Sequence, residues 1–373
     1  MDFLAGIWNY VVVFLIILTV VVFVHEAGHY LVARWNGVKV DVFSIGFGPE
    51  VWGYTAKSGT RWRVSLLPLG GYVKMFGDAD AASATGDDRP MSEAEKAVSF
   101  RHKRVGQRAA IVFAGPAANF IFAIVGMAML LVLQGEQVME PVVGQVQPNS
   151  AAEQAGLRAG DRVLSINGSA IGSFLDIKRT VLLHIEEPLT IQYEREGSVA
   201  SVLVRPRIIE VNGKKQPLLG IAADATRIRV VNYNPLEAVG QALQKTEIMV
   251  TSTFIGIGQM INGSRDSEEL GGPIAIAKGA GEAAQGGLSS VVFYTILLSL
   301  NLGLINLFPI PVLDGGHLLF YAAEAILGRP LGEKAQEYGF RIGLFLVLAL
   351  MVFATRNDIV SLPMWDVVKR LLS

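Results

Sequence analysis

The 373-residue sequence contains no cysteine, which excludes disulfide staples, thiolate metal sites, iron-sulfur clusters and cysteine nucleophiles together. Charge is scarce: 17% of residues are Asp, Glu, Lys or Arg and the formal net charge is -1, so nothing steers the chain towards nucleic acid or acidic partners. Histidine is rare, with five in the chain, so a close pair of them carries information. The stretch before the first apolar run lacks Lys and Arg, and no small-residue cleavage site precedes His25, which argues for a retained membrane helix over a cleaved signal. What abounds is apolar: 51% of residues are hydrophobic, more than a soluble domain usually hides.

The apolar residues are gathered into runs. Phe3 to Val24 approaches the roughly 20 residues needed to cross a bilayer, and continues through His25, Glu26 and His29 to end near Arg34. Ala109 to Leu133 is a second span, flanked by His102, Lys103, Arg104 and Arg108 on one side and Glu136 on the other. Ser289 to Leu313 is a third, interrupted by Pro309, Pro311 and Asp314, and Leu318 to Leu327 continues it; Tyr338 to Ala354 is a shorter fourth. The loop between the first two spans is rich in Lys and Arg, from Arg34 and Lys39 to Lys103 and Arg104. The positive-inside bias therefore places this loop in the cytoplasm and puts the N-terminus, together with the segment from Glu136 to Gly287, on the outer side.

Two regions read as β. In the cytoplasmic loop, Val51 to Tyr54 and the alternating Arg61 to Leu66 flank a Lys57-Ser58-Gly59-Thr60 turn, a hairpin signal. Its neighbours, Ser44 to Pro49 and Leu69 to Val73, are glycine-rich and apolar enough to dip towards the membrane. The outer segment runs strand, short helix, turn, strand from Val142 and closes near Arg205. Within it, Ala155-Gly156-Leu157-Arg158-Ala159-Gly160-Asp161-Arg162-Val163 followed by Ile166-Asn167-Gly168 resembles PDZ domains, which take an extended peptide as an added strand. The expected fold is a multi-span α-helical membrane protein with four transmembrane helices, a membrane-dipping β hairpin and one extracytoplasmic PDZ domain. The expected boundaries are 1–35 for helix one, 36–105 for the loop, 106–135 for helix two and 136–207 for the PDZ domain. Residues 208–287 are a linker with an interfacial helix over Leu236 to Ile261, 288–327 the third helical region, 338–355 the fourth helix and 356–373 an amphipathic end. Ala79 to Gly86 reads as a mobile small-residue stretch.

His25-Glu26-Ala27-Gly28-His29 is the sharpest chemical signal. Positions four apart share a helical face, so both imidazoles can reach one metal, while Glu26 is turned aside and can hold a water on it. Three ionisable groups at the membrane end of an apolar helix would cost roughly 2.5 to 3.5 kcal/mol each if charged at the bilayer centre, a load that a merely structural helix has no reason to carry. Catalytic zinc takes three protein ligands and keeps a position open, so a third must come from elsewhere. Asp314, in Leu313-Asp314-Gly315-Gly316-His317, is one candidate; Pro309, Pro311 and the glycines break the helix there and free backbone groups that only a protein-lined or wet cavity satisfies. His317 is the alternative.

With these motifs in view, the sequence resembles the site-2 protease family (peptidase M50), in its bacterial RseP type. The resemblance runs through His25-Glu26-xx-His29, Gly115-Pro116-Ala117-Ala118-Asn119 and Asn306-Leu307-Phe308-Pro309-Ile310-Pro311-Val312-Leu313-Asp314-Gly315-Gly316. It implies an intramembrane zinc metalloprotease of the bacterial inner membrane, with one Zn2+ held by His25, His29 and Asp314 and with Glu26 as the catalytic acid/base. It further implies that Asn301 and Asn306 hold the substrate near the metal, that the glycine-rich loop at Gly46, Phe47 and Gly48 pairs with it, and that Asn119 supports the helix packing. Substrates would be single-span membrane proteins met in the lipid bilayer: anti-sigma factors after a first cleavage, or remnant signal peptides. RseP-type members carry two tandem PDZ domains, whereas this sequence has room for one. The competing readings are a membrane PDZ adaptor without proteolytic activity and an ion-coupled transporter whose buried His, Glu and Asp relay protons.

Overall fold

The computed structural model describes residues 2–78, 91–184, 187–211, 214–263 and 271–360. They fall into two bodies, Met1–Leu130 with Val239–Ser373, and Leu131–Ala238. Among the described residues four helices are long and apolar enough to cross a membrane, over Tyr10–Trp35, Val105–Gln134, Leu288–Asn306 and Lys334–Val360, as the hydropathy runs foretold.

The first body opens with α1 (Asp2–Trp35), followed by β1 (Val40–Thr55), β2 (Arg61–Met75), α2 (Glu93–Val98) and α3 (Val105–Gln134). A Cβ on Gly28 would lie 2.2 Å from the Ala114 carbonyl oxygen, so α1 and α3 touch backbone to backbone at the level of the histidines. Only glycine allows this approach. Pro116 sits inside α3 without ending it, as membrane helices tolerate.

The expected hairpin is more elaborate than its turn signal suggested. Val42 to Ile45 pairs with Gly71 to Lys74 on one side and with Arg61 to Val64 on the other, while Glu50 to Thr55 pairs only with Ser65 to Arg61. Each long strand thus folds back once, and the two behave as four short ones. The outward side chains include Val51, Trp52, Tyr54, Leu66, Leu67 and Leu69, an apolar surface fit for lipid contact.

The second body holds β3 (Glu136–Met139), β4 (Val143–Val146), α4 (Ala151–Gln154), β5 (Arg162–Ile166), β6 (Ser169–Ala170), α5 (Phe174–Leu183), β7 (Leu189–Arg195) and β8 (Ser198–Val204). It continues through β9 (Arg207–Val211), β10 (Lys214–Leu218), β11 (Ile221–Ala223) and β12 (Ile228–Val231). A four-stranded sheet runs β6-β5-β7-β8. Alternation in β7 sends Leu189, Ile191 and Tyr193 inward to meet Val143, Val163, Ile166 and Ile177, each such side chain contributing about 1.5 to 3 kcal/mol by its burial. The expected closure near residue 205–207 is too early. β11 pairs with β4 and β12 with β3, so the fold is completed by strands far along the chain that local pattern could not assign.

The chain returns through α6 (Pro235–Ile261), α7 (Pro273–Gln285), α8 (Leu288–Asn306), α9 (Asp314–Leu327) and α10 (Glu333–Val360). The expected interfacial helix is α6. The separate helix α7 was not expected; Gly281 lets it close on the Tyr10 ring of α1, where a Cβ would overlap the ring carbons. The third span is shorter than read: α8 stops at Asn306, before the two prolines, and α9 starts afresh at Asp314. The fourth is longer, because Arg356, Asn357 and Asp358 remain helical. Asp358 is buried and its carboxylate accepts hydrogen bonds from the Gly272, Ile274 and Ala275 N–H groups, capping α7 and tying the end of α10 to it. The mobile stretch expected at Ala79 to Gly86 and the amphipathic segment beyond Val360 lie outside the described residues.

Candidate metal centre

HExxH occupies the part of α1 pressed against α3. His25 and His29 are buried, at 7% and 8% exposure. His29 Nδ1 lies 2.9 Å from the Ile111 carbonyl oxygen; a carbonyl only accepts, so the proton is on Nδ1 and Nε2 carries a free lone pair when the ring is neutral. That Nε2 is 3.2 Å from His25 Nε2.

Asp314, from the first residue of α9, enters the same point. Its Oδ2 is 3.1 Å from His25 Nε2 and 3.6 Å from His29 Nε2. Those separations bring the three atoms together, yet Oδ2 is buried without a hydrogen bond of good geometry. With both imidazoles neutral and their lone pairs on Nε2, three donor atoms converge in a repulsive arrangement that one cation would relieve. Size agrees: metal bonds of about 2.0 to 2.1 Å in a tetrahedron set ligand atoms roughly 3.3 to 3.4 Å apart. The three residues are the one His/Asp/Glu cluster of this kind found among the described residues. His317, the sequence-level alternative, points elsewhere, with its ring 5.3 Å from that of Phe340 and 6.5 Å from that of Tyr321.

Around the three ligand candidates stand the other expected residues. Asn119 is fully buried, and its amide lies 3.2 Å from His25 Nδ1. Ser299 Oγ donates to the Asn119 carbonyl, and Gly303 lets α8 close on Pro116 and Asn119, so α8 holds this part of α3 in place. Asn306 Nδ2 is 3.4 Å from His25 Nε2, at the rim of the cluster. Asn301 lies on α8 as expected. No hydrogen bond is found between it and the cluster among the described residues. Glu26 is half-buried and lies against the backbone of Val73, with its Cγ 3.4 Å from where a Gly71 Cβ would be.

The strand beside Glu26 is therefore Gly70 to Val73, not Ser44 to Gly48. Ser44 and Ile45 are paired on both sides, and Phe47 pairs with Leu67, stacks on Tyr72 and covers Gly70. Gly46 is packed on the Leu67 carbonyl. A strand bonded along both edges cannot accept another, which holds for Val42 to Ile45; of the expected pairing residues Gly46, Phe47 and Gly48, Phe47 is paired on one side, with Leu67.

Gly115 belongs to the Gly115-Pro116-Ala117-Ala118-Asn119 motif. A Cβ there would stand 2.3 Å from His29 Nε2 and 2.9 Å from His25 Cε1. It is the floor on which both imidazoles rest, and only its spacing one turn before Asn119 hinted at this.

Comparison with known proteins agrees with the geometry. The model of "Peptidase family M50" matches residues 13–350. The "Putative zinc metalloprotease" of Agrobacterium fabrum is 46% identical over 369 residues, covering 96% of this chain and 97% of its own, and that of Rhizobium meliloti is 46% identical over 356, covering 93% and 95%. The "Regulator of sigma-E protease RseP" of Salmonella typhimurium is 32% identical over 457 residues, covering 95% of this chain and 99% of its own; the alignment is longer than this chain, so that relative carries residues without a counterpart here. Among solved structures, the PDZ domain of the SdrC-like protein of Listeria monocytogenes matches 23% of this chain and 87% of its own at 21% identity, with a TM-score of 0.21. With a matching family model over most of its length and these relatives, the chain belongs to peptidase family M50, the site-2 proteases, and is a multi-pass membrane metalloprotease whose cofactor is zinc.

Proposed function

We propose that His25, His29 and Asp314 hold the zinc ion, that Glu26 moves the proton in peptide hydrolysis, and that the substrate is a single-span membrane protein. The observation that carries this reading is the meeting of His25 Nε2, His29 Nε2 and Asp314 Oδ2 at 3.1 to 3.6 Å. When bound there, zinc supplies a Lewis acid and brings the pKa of a coordinated water to about 7. The Glu26 carboxylate takes a proton at the start of the reaction and returns it to the departing amine, as base and then acid. His29 is held in the metal-binding tautomer by the Ile111 carbonyl. For His25 the Asn119 amide does the same when its oxygen faces Nδ1–H, so Asn119 orients the ring as well as packing the helices.

A helical substrate hides its carbonyls and must be drawn out before it can be cut. The Gly70 to Val73 edge beside Glu26 supplies backbone groups to a strand laid along it, and Asn306, at the cluster's rim, supplies an amide. Because the chain has no cysteine, this is directly testable by single-cysteine cross-linking. A substrate cysteine beside the scissile bond should join Tyr72→Cys and not Trp52→Cys on the opposite edge. Equal yield at both positions would remove the edge from the mechanism.

Asp314→Asn tests the ligand set. An amide oxygen is a far weaker zinc ligand than a carboxylate, so zinc content after dialysis should fall well below one ion per chain, and peptide cleavage with it. Full retention of zinc by this variant would sink the assignment and return His317 to consideration.

The Lys- and Arg-rich loop supports an orientation with the metal-bearing end of α1 towards the cytoplasm of a bacterial inner membrane and the β-rich body outside. The β-rich body, PDZ-like in its sequence, screens substrates there, admitting stubs whose outer part an earlier cleavage has removed. Anti-sigma factors and remnant signal peptides are the substrate classes of this kind.

A further inference from the structure

Asp314 reaches the cluster from a turn, Leu307 to Leu313, in which Pro309 and Pro311 lack N–H groups and the backbone bonds donated by Leu307, Phe308, Ile310 and Leu313 are all short-range. The turn is held by close packing. On one side are the glycines of α9: a Cβ on Gly315 would lie 2.3 Å from the Leu307 and Phe308 carbonyl oxygens, and one on Gly316 2.3 Å from the Ile310 oxygen and 2.4 Å from Pro311 Cα. On the other is α10. Gly339 and Gly343, four residues apart and so on one helical face, form a notch that receives Pro311. A Cβ on Gly343 would be 3.1 Å from Pro311 N, 3.2 Å from its Cδ and 3.2 Å from Val312 Cγ2; one on Gly339 would be 2.9 Å from Phe320 Cζ and 3.6 Å from Pro311 Cβ. Between them Phe340 meets the rings of His317 and Phe320 on α9.

The middle of α10 is otherwise exposed along Leu344, Phe345, Leu348 and Val352, and its far end is fastened through Asp358. A helix so lightly packed along its length, yet shaped to the turn that delivers a metal ligand, is in a position to set that ligand. We propose that Gly339 and Gly343 of α10 are positioning residues for Asp314: seating of Pro311 in their notch holds the carboxylate at the two imidazoles, and lifting α10 away slackens it. The inference rests on Asp314 being a zinc ligand.

The test is Gly343→Leu, with Gly343→Ala as a milder variant if the first fails to fold and the outward-facing Phe345→Ala as control, in the full chain in detergent. Zinc affinity is read by chelator competition, and the metal environment by the visible absorption of the cobalt(II)-substituted protein. Removing outer support of a metal site typically weakens binding 10- to 100-fold. Gly343→Leu should fall in that range with an altered cobalt spectrum, Gly343→Ala should shift both in the same direction by less, and Phe345→Ala should leave both unchanged. A structural role alone would lower Tm and leave the cobalt spectrum of the folded fraction as in the parent, and that result overturns the proposal. Asp314→Asn measured alongside separates the two claims. If it loses zinc while folded Gly343 variants bind normally, the notch fails alone; if Asp314→Asn binds zinc normally, the ligand reading and the notch fall together.

Discussion

Glu26→Gln should abolish measurable peptide cleavage and leave zinc bound. Glutamine keeps the length and shape of the side chain and its place beside Gly71 and Val73, but the amide cannot accept and return a proton. Loss of a positioned acid/base typically costs roughly 10^2- to 10^4-fold in rate. The measurement is kcat on a purified membrane-stub peptide, with zinc content determined on the same sample. Because Glu26 is not among the three residues whose donor atoms meet, its loss should not empty the metal site. A variant that cleaves at near the parental rate would show that another group handles the proton. One that loses the ion as well would show that Glu26 coordinates it, and the ligand set would need redrawing. The value of the pair of readouts is that Asp314→Asn and Glu26→Gln, both inactive, must differ in metal content.

The half of the site within α1 was legible because its spacing is local: residues four apart on a helix must share a face, whatever the fold. Asp314 could be proposed as a partner from its unusual setting, but not chosen over His317, because the two lie three residues apart on α9 and only the packing of the turn decides which faces the histidines. The β loop shows the same limit. Its turn and alternation were readable, yet strand edges are a property of pairing, and a strand that folds back on itself uses up edges that a simple hairpin would leave open. Hence Val42 to Ile45 is paired on both sides, whereas Gly71 to Lys74 is paired on one. The second body ends later than its local pattern implied for a related reason: β11 and β12 are short and become strands only by pairing with β4 and β3. Helix α7 is composed mainly of small residues and had too weak an apolar stripe to stand out; its order comes from Tyr10, Tyr294 and the Asp358 cap.

Gly115→Ala should be as damaging to metal binding as loss of a ligand, although it removes no chemical group. The added methyl would sit 2.3 Å from His29 Nε2, the atom whose lone pair is needed. The ring cannot simply retreat, because its Nδ1 is fastened to the Ile111 carbonyl, and α3 cannot easily withdraw while it touches α1 backbone to backbone at Gly28 and Ala114. Overpacking of this kind typically costs about 1 to 3 kcal/mol in stability. The effect on the ion should be larger in proportion, about 100-fold or more in zinc affinity, since one imidazole must leave the cluster for the methyl to fit. Gly106→Ala, on the same helix with open space around its Cβ, separates this from a general intolerance of α3 to substitution. It should be neutral or raise Tm slightly, because alanine gives up less backbone entropy than glycine in a helix. Zinc titration of the two variants side by side decides the matter: parental affinity in Gly115→Ala would mean that the imidazoles stand farther from α3 in the working enzyme, and the three-atom cluster would have to be rebuilt around that distance.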